Sequence, residues 1–529
     1  MTKVRPNGNS KELALWCNVF LIQLLPSLLR SYWYVEDVLL SMLVGCIVSA
    51  AFASVVVCFP WRGVRWVVFT VLLGVSLFEL AHMLVYNGDT ASAGYVRSLF
   101  MTTPYEADGA LWRVIRQHIV FIALLATTCI LVSIQIFVTS PANRLSRWAL
   151  PVSALMVAGG MLFRHDAFVS RPPINIYVQM AEACRQSGER ESLVPQGERF
   201  CYHARRMQKP ANEKREVYVL LIGESLRYDH ISIGGVYSRP TMPMIEQLPN
   251  AVSYTDYYTT GVFTMYAVPM LITRAEPETF ASHYSERGVQ QAFAETGFKT
   301  LWLTNEAQIV SDGVSHYMAR GAEIVKAKHD MDIPQLLDSV LQETDSSLFV
   351  IINLWGNHQF YWNSQTAAAR YYPDITTTKA VHGEEMYVNS YDNAILCTDS
   401  VIAAITSCLQ RKDIIAQWIF TSDHGEGPIG NNGGAHGYTC PTSGEYHVPL
   451  MVWYSDEYKE AYPEKVANMI KHKDAPVCAD HVFWSVLDMA DIRIDSTLQQ
   501  DGMSVFGDTL LPHRRTLLLP DGRSVLTLD

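Results

Sequence analysis

No internal repeat, P-loop or dinucleotide fingerprint occurs in the 529 residues, and no basic stripe marks a nucleic-acid surface. Nucleotide-phosphate cradles and nucleic-acid partners are therefore not expected. The two glycine-bearing stretches, "GGVYSRP" and the loop 425–437, do not stand between a strand and a helix as a phosphate cradle would. The ten cysteines include no C-x2-C pair, so none is assigned a metal. No A-x-A-like site separates the first apolar run from the second, which argues against a cleavable signal peptide. Charge of neither sign dominates: 41 Lys and Arg against 52 Asp and Glu leave a net charge of -11, which by itself excludes little.

What is present is unevenly distributed. Long apolar runs fill residues 12–165, whereas 13 of the 16 histidines lie from His203 onward. Runs at 12–29, 37–59, 66–87, 117–139 and 147–164 approach the roughly 20 residues a membrane-crossing helix needs. Basic residues cluster before the first run (Lys3, Arg5, Lys11), in "PWRGVRW" (Arg62, Arg65) and in "SPANRLSR" (Arg144, Arg147). By the positive-inside rule these segments face the cytoplasm, and five crossings export everything after about residue 165. The aromatic stretch "RSYWYVED" reads as an interfacial belt. The expected organisation is a transmembrane domain over 1–165, a connector without sustained period over 166–214, and an exported domain over 215–529.

Cys17, Cys46, Cys58 and Cys129 fall in the spans as small apolar residues. Cys184 and Cys201 flank a polar segment, and if paired in an oxidising compartment would close a loop worth roughly 3 kcal/mol. In the exported domain, "VYVLLIG", "TLWLTN", "LFVIINLWG", "WIFTSD" and "VPLMVWYS" alternate with helix-like segments, the pattern of a largely parallel sheet covered by helices. Ligands of such sheets bind beyond the carboxyl ends of the strands. Glu224, Asn305, His358 and the pair Asp423–His424 all follow strand ends there.

Glu, Asp and neutral His are ligands that zinc accepts, and Glu224, Asp423 and His424 supply three. A catalytic site keeps a further position for a reacting oxygen. "TTGVFTMYAVPM" offers the hydroxyls of Thr259, Thr260 and Thr264, nearly equal candidates by spacing alone. Thr264 begins a helix-compatible run whose starting amides favour phosphate. His447, Asp480 and His481 read as groups that either support the site from behind or are structural.

The stretches "LLIGESLRYDHISIGGVYSRPTMP", "GVFTMYAVPM", "WGNHQFY", "YDNAILCTDSVI" and "FTSDHGE" succeed one another at characteristic intervals. In order and approximate spacing they resemble the lipid-linked phosphoethanolamine transferases of Gram-negative bacteria. That family lies in the sulfatase-like branch of the alkaline phosphatase superfamily and includes enzymes that decorate lipid A and confer polymyxin resistance. The resemblance covers nearly the whole chain, including five spans and "TTPYEADGAL", which looks like the family's T-x-P-x-E-A segment.

The resemblance implies an α-helical membrane domain of five transmembrane helices and an α/β sulfatase-like, alkaline-phosphatase-type domain in the periplasm. It implies a zinc ion held by Glu224, Asp423, His424 and the nucleophile Thr264. His358 and His436 would contact the transferred phosphate or a second zinc, and Glu106 would meet the donor's ammonium. The implied reaction carries phosphoethanolamine from phosphatidylethanolamine to lipid A or a lipopolysaccharide core sugar, by a monomeric enzyme of the inner membrane. The chain departs from many lipid A enzymes in lacking their C-G-T…P-C cysteines around the nucleophile, so those disulfides do not carry over, and "LWLTNEAQ" and "YHVPLMVWYSDEY" look nearer to core-sugar members. Lipoteichoic acid synthases, which transfer phosphoglycerol, share the five spans and the threonine. A non-catalytic glycan-binding protein is the contrasting class. No C-x-P-x-R or S-x-P-x-R segment stands where a true sulfatase carries its nucleophile.

Overall fold

The computed structural model describes residues 8–99, 104–139, 143–210, 214–305, 319–359, 361, 371–374, 376–378, 383–411, 414–429 and 434–528. The chain forms two compact units, Met1–Arg185 and Gln186–Asp529.

Five apolar helices build the first unit: α1 (Gly8–Trp33), α2 (Val38–Cys58), α3 (Arg62–Val85), α4 (Pro104–Val138) and α5 (Asn143–Phe163). Ser10–Trp33, Val35–Cys58, Arg62–Val85 and Val114–Val138 are each long and apolar enough to cross a bilayer, and α5 contributes a shorter apolar stretch, Trp148–Phe163. Side chains such as Leu39, Leu155 and Leu162 are 75–84% exposed, as suits a surface solvated by lipid rather than water. Helical geometry breaks inside α4 at His118 (φ -124°, ψ 26°). Glu106 lies in α4, and its side chain is outside the described residues.

Arg62 and Arg65, expected in a cytoplasmic loop, fall instead in the first turn of α3. The Arg65 guanidinium is buried and lies 3.1 Å from Glu12 of α1, a fully buried pair. It also donates to the carbonyls of Val57 and Phe59 at 2.6 Å each, satisfying acceptors that the end of α2 leaves free. The charge thus works as a packed C-cap joining three helices.

The stretch 166–214, expected to be irregular, contains the 23-residue helix Asn175–Gly197. Ile176, Ala183 and Gln186 are buried on one face at spacings of seven and three. So few apolar positions among many charges hide the helical period in the sequence. Cys184 and Cys201 are both free: Cys184 is exposed, while the Cys201 thiol donates to Glu295 Oε1 at 3.1 Å.

The second unit is built on a seven-stranded sheet of β1 (Arg215–Gly223), β2 (Ala251–Ser253), β3 (Lys299–Thr304), β4 (Glu323–Lys326), β5 (Leu348–Asn353), β6 (Ile414–Ser422) and β7 (Leu450–Tyr454). Their order is β2-β7-β6-β1-β5-β3-β4. Strands β6, β1, β5, β3 and β4 run parallel, and β7 pairs antiparallel with β6 and with β2. Central strands β1, β5 and β6 are buried along almost their whole length, which is why they read as continuous apolar runs rather than alternating ones. The helix Glu384–Leu409 packs on this sheet through Tyr391, Ile395, Ile402 and Ile405. It is apolar enough to cross a membrane by composition, yet it belongs to the α/β core.

Register places the strand ends. Gly223 pairs with Ser422, and Ile222 pairs with both Thr421 and Asn353. Ser225, directly after Glu224, is held at φ +56°, a strained conformation for a non-glycine residue. Tyr391 secures it, donating its hydroxyl to Ser225 O at 2.6 Å and accepting from Arg227 N at 2.9 Å. Replacing Tyr391 with Phe keeps the packing but strands a buried carbonyl and amide, so we expect a loss of about 1–3 kcal/mol. A lowered thermal midpoint of the purified protein, with unchanged far-ultraviolet circular dichroism, is the measurement that checks it.

Candidate active site

Because β1 and β6 end in register, their next residues are forced together. Asp423 N donates to Gly223 O at 3.0 Å, and Glu224, Asp423 and His424 are all at most 2% exposed. His424 Nε2 lies 3.4 Å from Glu224 Oε1 and 3.4 Å from Asp423 Oδ2. The other ring nitrogen, Nδ1, is 2.8 Å from Gly425 O, which can only accept. Nδ1 therefore carries the proton, and Nε2 presents a lone pair to the carboxylates.

Two buried carboxylates facing a lone pair repel unless something positive sits between them. Burial, and then the charge of Glu224, push Asp423 well above the usual carboxylate range. Burial also opposes ionisation of Glu224, but where the imidazoles of His424, His358 and His436 carry charge they outweigh it and hold its pKa below the ordinary value. The pair therefore shares one proton in the absence of a cation. Asp423 Oδ2 has no hydrogen-bond partner among the described residues.

Thr264 completes the cluster. It opens the helix Thr264–Ile272, and its Oγ1 donates to Glu224 Oε2 at 3.1 Å while lying 3.4 Å from His424 Nε2. A tetrahedral ion with ligand bonds of about 2.0–2.1 Å separates neighbouring ligands by about 3.3–3.4 Å. The contacts of 3.1 to 3.4 Å are of that size, with Glu224 turning Oε2 to Thr264 and Oε1 to His424. Thr259 donates its hydroxyl to Asp423 O and so braces the turn, whereas the Thr260 hydroxyl is buried without a partner among the described residues. Of the three threonines, Thr264 alone reaches both a carboxylate and the imidazole.

His436 joins the same cluster, its ring centroid 4.0 Å from that of His424. Glu224, His424 and His436 can bring three ligand atoms within 4.8 Å of one another. His436 Nδ1 is 3.3 Å from Glu426 Oε1, and Tyr361 donates to Glu426 Oε2 at 2.9 Å. Burial, offset in part by His424 and Tyr361, pushes the Glu426 carboxyl up to about 7. Glu426 was not singled out in the sequence, although it ends the "FTSDHGE" stretch.

His358 stands on the loop after β5, where Asn357 N donates to Glu224 O at 3.0 Å. Gly356, at φ +50°, passes so close to Glu224 that a Cβ would lie 3.1 Å from its amide nitrogen. Asp330, another group the sequence did not mark, accepts from Trp355 N at 3.0 Å and Gly356 N at 2.9 Å. Asn305 donates to the same carboxylate at 3.0 Å, so it positions the His358 loop through Asp330 rather than facing the cluster. His447 stacks on Tyr228 with ring centroids 4.3 Å apart, while Asp480 and His481 belong to a separate group of side chains.

A family model described as Sulfatase matches residues 216–492. The chain belongs to the sulfatase family. Among curated relatives it is similar to YhbX of Escherichia coli (strain K12), 27% identical over 262 residues, 48% of this chain and 46% of that protein. It is similar to phosphoethanolamine transferase EptC of Escherichia coli O18:K1:H7, 23% identical over 475 residues, 81% of this chain and 80% of that one. The chain thus spans about half the length of the first curated relative and most of the second. Among solved structures, the integral membrane lipooligosaccharide phosphoethanolamine transferase A of Neisseria meningitidis superposes with a TM-score of 0.65 at 18% identity, over 93% of this chain and 98% of that one. The periplasmic domain of EptC from Escherichia coli in complex with Zn gives a TM-score of 0.52 at 20% identity, over 59% and 92%. At these identities the likeness shows the fold alone: the membrane protein matches the apolar helices together with the sulfatase-like α/β unit, and the EptC domain matches the α/β unit.

A metal bound at this site would have to displace the proton shared by Glu224 and Asp423, so its apparent affinity would fall as pH falls. Asp423→Asn and His424→Ala should each lose one metal equivalent per chain, read by inductively coupled plasma mass spectrometry on the purified protein. A metal content equal to wild type in both variants would refute the ligand set.

Proposed function

We propose that the protein transfers phosphoethanolamine from phosphatidylethanolamine to a lipopolysaccharide acceptor, lipid A or a core sugar, through a covalent ester on Thr264. The observation that carries this reading is the Thr264 hydroxyl at the start of a helix, 3.1 Å from Glu224 and 3.4 Å from His424. The similarity to phosphoethanolamine transferases over both halves of the chain supports the donor class. Zinc is the proposed ion, held by Glu224, Asp423, His424 and Thr264, and the Zn complex of the EptC domain supports it. When bound, it would supply Lewis acidity that lowers the cost of ionising the threonine and neutralises phosphate charge.

The chain's own groups account for the remaining steps. Thr264 Oγ1 attacks the donor phosphorus and gives up its proton towards Glu224 Oε2; the bond to diacylglycerol breaks, and diacylglycerol leaves after taking a proton. The amides of the first turn after Phe263 face the transferred phosphate. His436, kept neutral by burial and by the neighbouring His424 and oriented through Nδ1 by Glu426, presents its other nitrogen as a base. The proton Thr264 gave up towards Glu224 passes to the diacylglycerol oxygen in the first half, and in the second His436 takes the proton of the acceptor hydroxyl and returns it to the Thr264 oxygen. The acceptor oxygen then displaces Thr264, regenerating the free hydroxyl. His358 acts on the same charge from the facing loop, and Glu106 is proposed to meet the donor's ammonium. The lipid donor explains the membrane unit, and we place the catalytic unit on the periplasmic side of the inner membrane.

Incubating the protein with phosphatidylethanolamine should add the mass of one phosphoethanolamine to wild type and none to Thr264→Ala, which should retain its metal and lose turnover by several orders of magnitude. An adduct persisting on Thr264→Ala sinks the nucleophile assignment. A phosphoglycerol adduct on wild type instead sinks the donor assignment. Glu426→Gln should keep the adduct but slow its discharge to acceptor, because His436 loses the carboxylate that orients it; unchanged discharge in stopped-flow mass analysis would count against that role.

A further inference from the structure

A second group of potential ligands lies in the same unit, assembled from Cys478, Asp480 and His513. Val477–Cys478 is a two-residue strand parallel to Tyr257–Tyr258, with Cys478 opposite Tyr258. Asp480 opens the helix Asp480–Met489. His513 arrives from the segment preceding the strand Thr516–Leu518, whose last residue donates its amide to Thr260 O at 2.8 Å. The group therefore stands where three segments meet behind the loop that leads to Thr264.

Its dimensions are those of a metal site. Cys478 Sγ lies 3.5 Å from Asp480 Oδ2, and His513 Nε2 lies 3.2 Å from the same oxygen. A tetrahedral zinc with bonds of about 2.3 Å to sulfur and about 2.0 Å to oxygen and nitrogen separates S from O by about 3.5 Å and N from O by about 3.3 Å. Hydrogen bonds alone can produce similar distances, but they do not account for the atoms around them. Asp480 is 5% exposed and its Oδ1 has no hydrogen-bond partner among the described residues; His481, 1% exposed and 3.4 Å from the Cys478 sulfur through Nδ1, leaves Nε2 likewise unpartnered. A group closed by hydrogen bonds alone leaves the buried Asp480 Oδ1 unmatched. A cation on Asp480 can engage both carboxylate oxygens, which accounts for Oδ1.

We propose that Cys478, Asp480 and His513 bind a second metal ion of the zinc class, which fastens the C-terminal segment to the strand behind the Thr264 loop. The sulfur ligand selects a thiophilic ion over calcium or magnesium. Cys478 is 1% exposed, and no ligand spacing in the sequence marks the site because His513 comes 35 residues later. The role is structural, and it is independent of the transfer reaction assigned to Thr264.

Cobalt substitution of the full-length protein in detergent separates the two sites, because only this one contains sulfur. Wild type should show near-ultraviolet sulfur-to-cobalt charge-transfer absorption, and Asp423→Asn, which disables the first site, should retain it. Cys478→Ser should lose the band, and the mild substitution His513→Gln should lower the zinc content by one equivalent per chain with unchanged circular dichroism. Absence of the band in wild type overturns the proposal without recourse to any variant. So does its loss in Asp423→Asn, or a zinc content in folded His513→Gln equal to that of wild type.

Discussion

Two carboxylates brought side by side out of water form the constraint around which the catalytic unit is organised. Parallel pairing of β1 with β6 brings Gly223 opposite Ser422, so Glu224 and Asp423 leave the sheet as neighbours, each at most 2% exposed. Buried like charges are costly unless a proton or a cation lies between them. The surroundings offer further groups suited to a cation, since His424 is fixed by Gly425 O with its lone pair inward and Thr264 arrives at a helix start. The same field that makes the carboxylates uncomfortable makes the site receptive to a dication and, beyond it, to phosphate.

Holding that arrangement requires backbone conformations that regular elements do not provide. Ser225 adopts φ +56° under the hydroxyl of Tyr391, and Gly356 adopts φ +50° where its chain presses on Glu224. A Cβ on Gly425 would lie 1.9 Å from Gly444 O, so the turn after His424 admits no side chain. Glu445 in turn gathers the amides of Gly437, Tyr438 and Thr442 around its buried carboxylate. Strain at the rim is offset by this shell of hydrogen bonds from Tyr391, Asp330 and Glu445, all of which hold the loops without reaching the cluster of Glu224, Asp423, His424 and Thr264.

Hydropathy alone misassigns elements in both directions. The helix Glu384–Leu409 is as apolar as a membrane span because it is wrapped on the inner face of a sheet and its buried polar groups find partners there, such as Asp392 with His230, Tyr237 and Arg239. Conversely, Arg65 is buried inside the apolar unit because Glu12 and two helix-end carbonyls absorb its charge. In each case pairing, not average polarity, decides where the residues go.

The sequence by itself determined the broad layout: apolar runs too long for most soluble helices, then β-rich runs alternating with helical ones, with ligand side chains placed directly after strands. Those signals are local, being matters of run length and of the residue next after a strand, so they survive in one dimension. The motifs also carried Glu224, Asp423 and His424 together with a short choice of threonines. The resemblance of the motifs already implied Thr264, which spacing alone left level with Thr259 and Thr260; only the tertiary structure brings its hydroxyl to the carboxylates, because that depends on the angle at which the helix Thr264–Ile272 meets the ends of β1 and β6. It also decided that Asn305 acts through Asp330, that Glu426 orients His436, and that Cys478 and His513 meet across 35 residues. Such contacts are set by how separate segments pack, and no spacing along a chain records a distance through space.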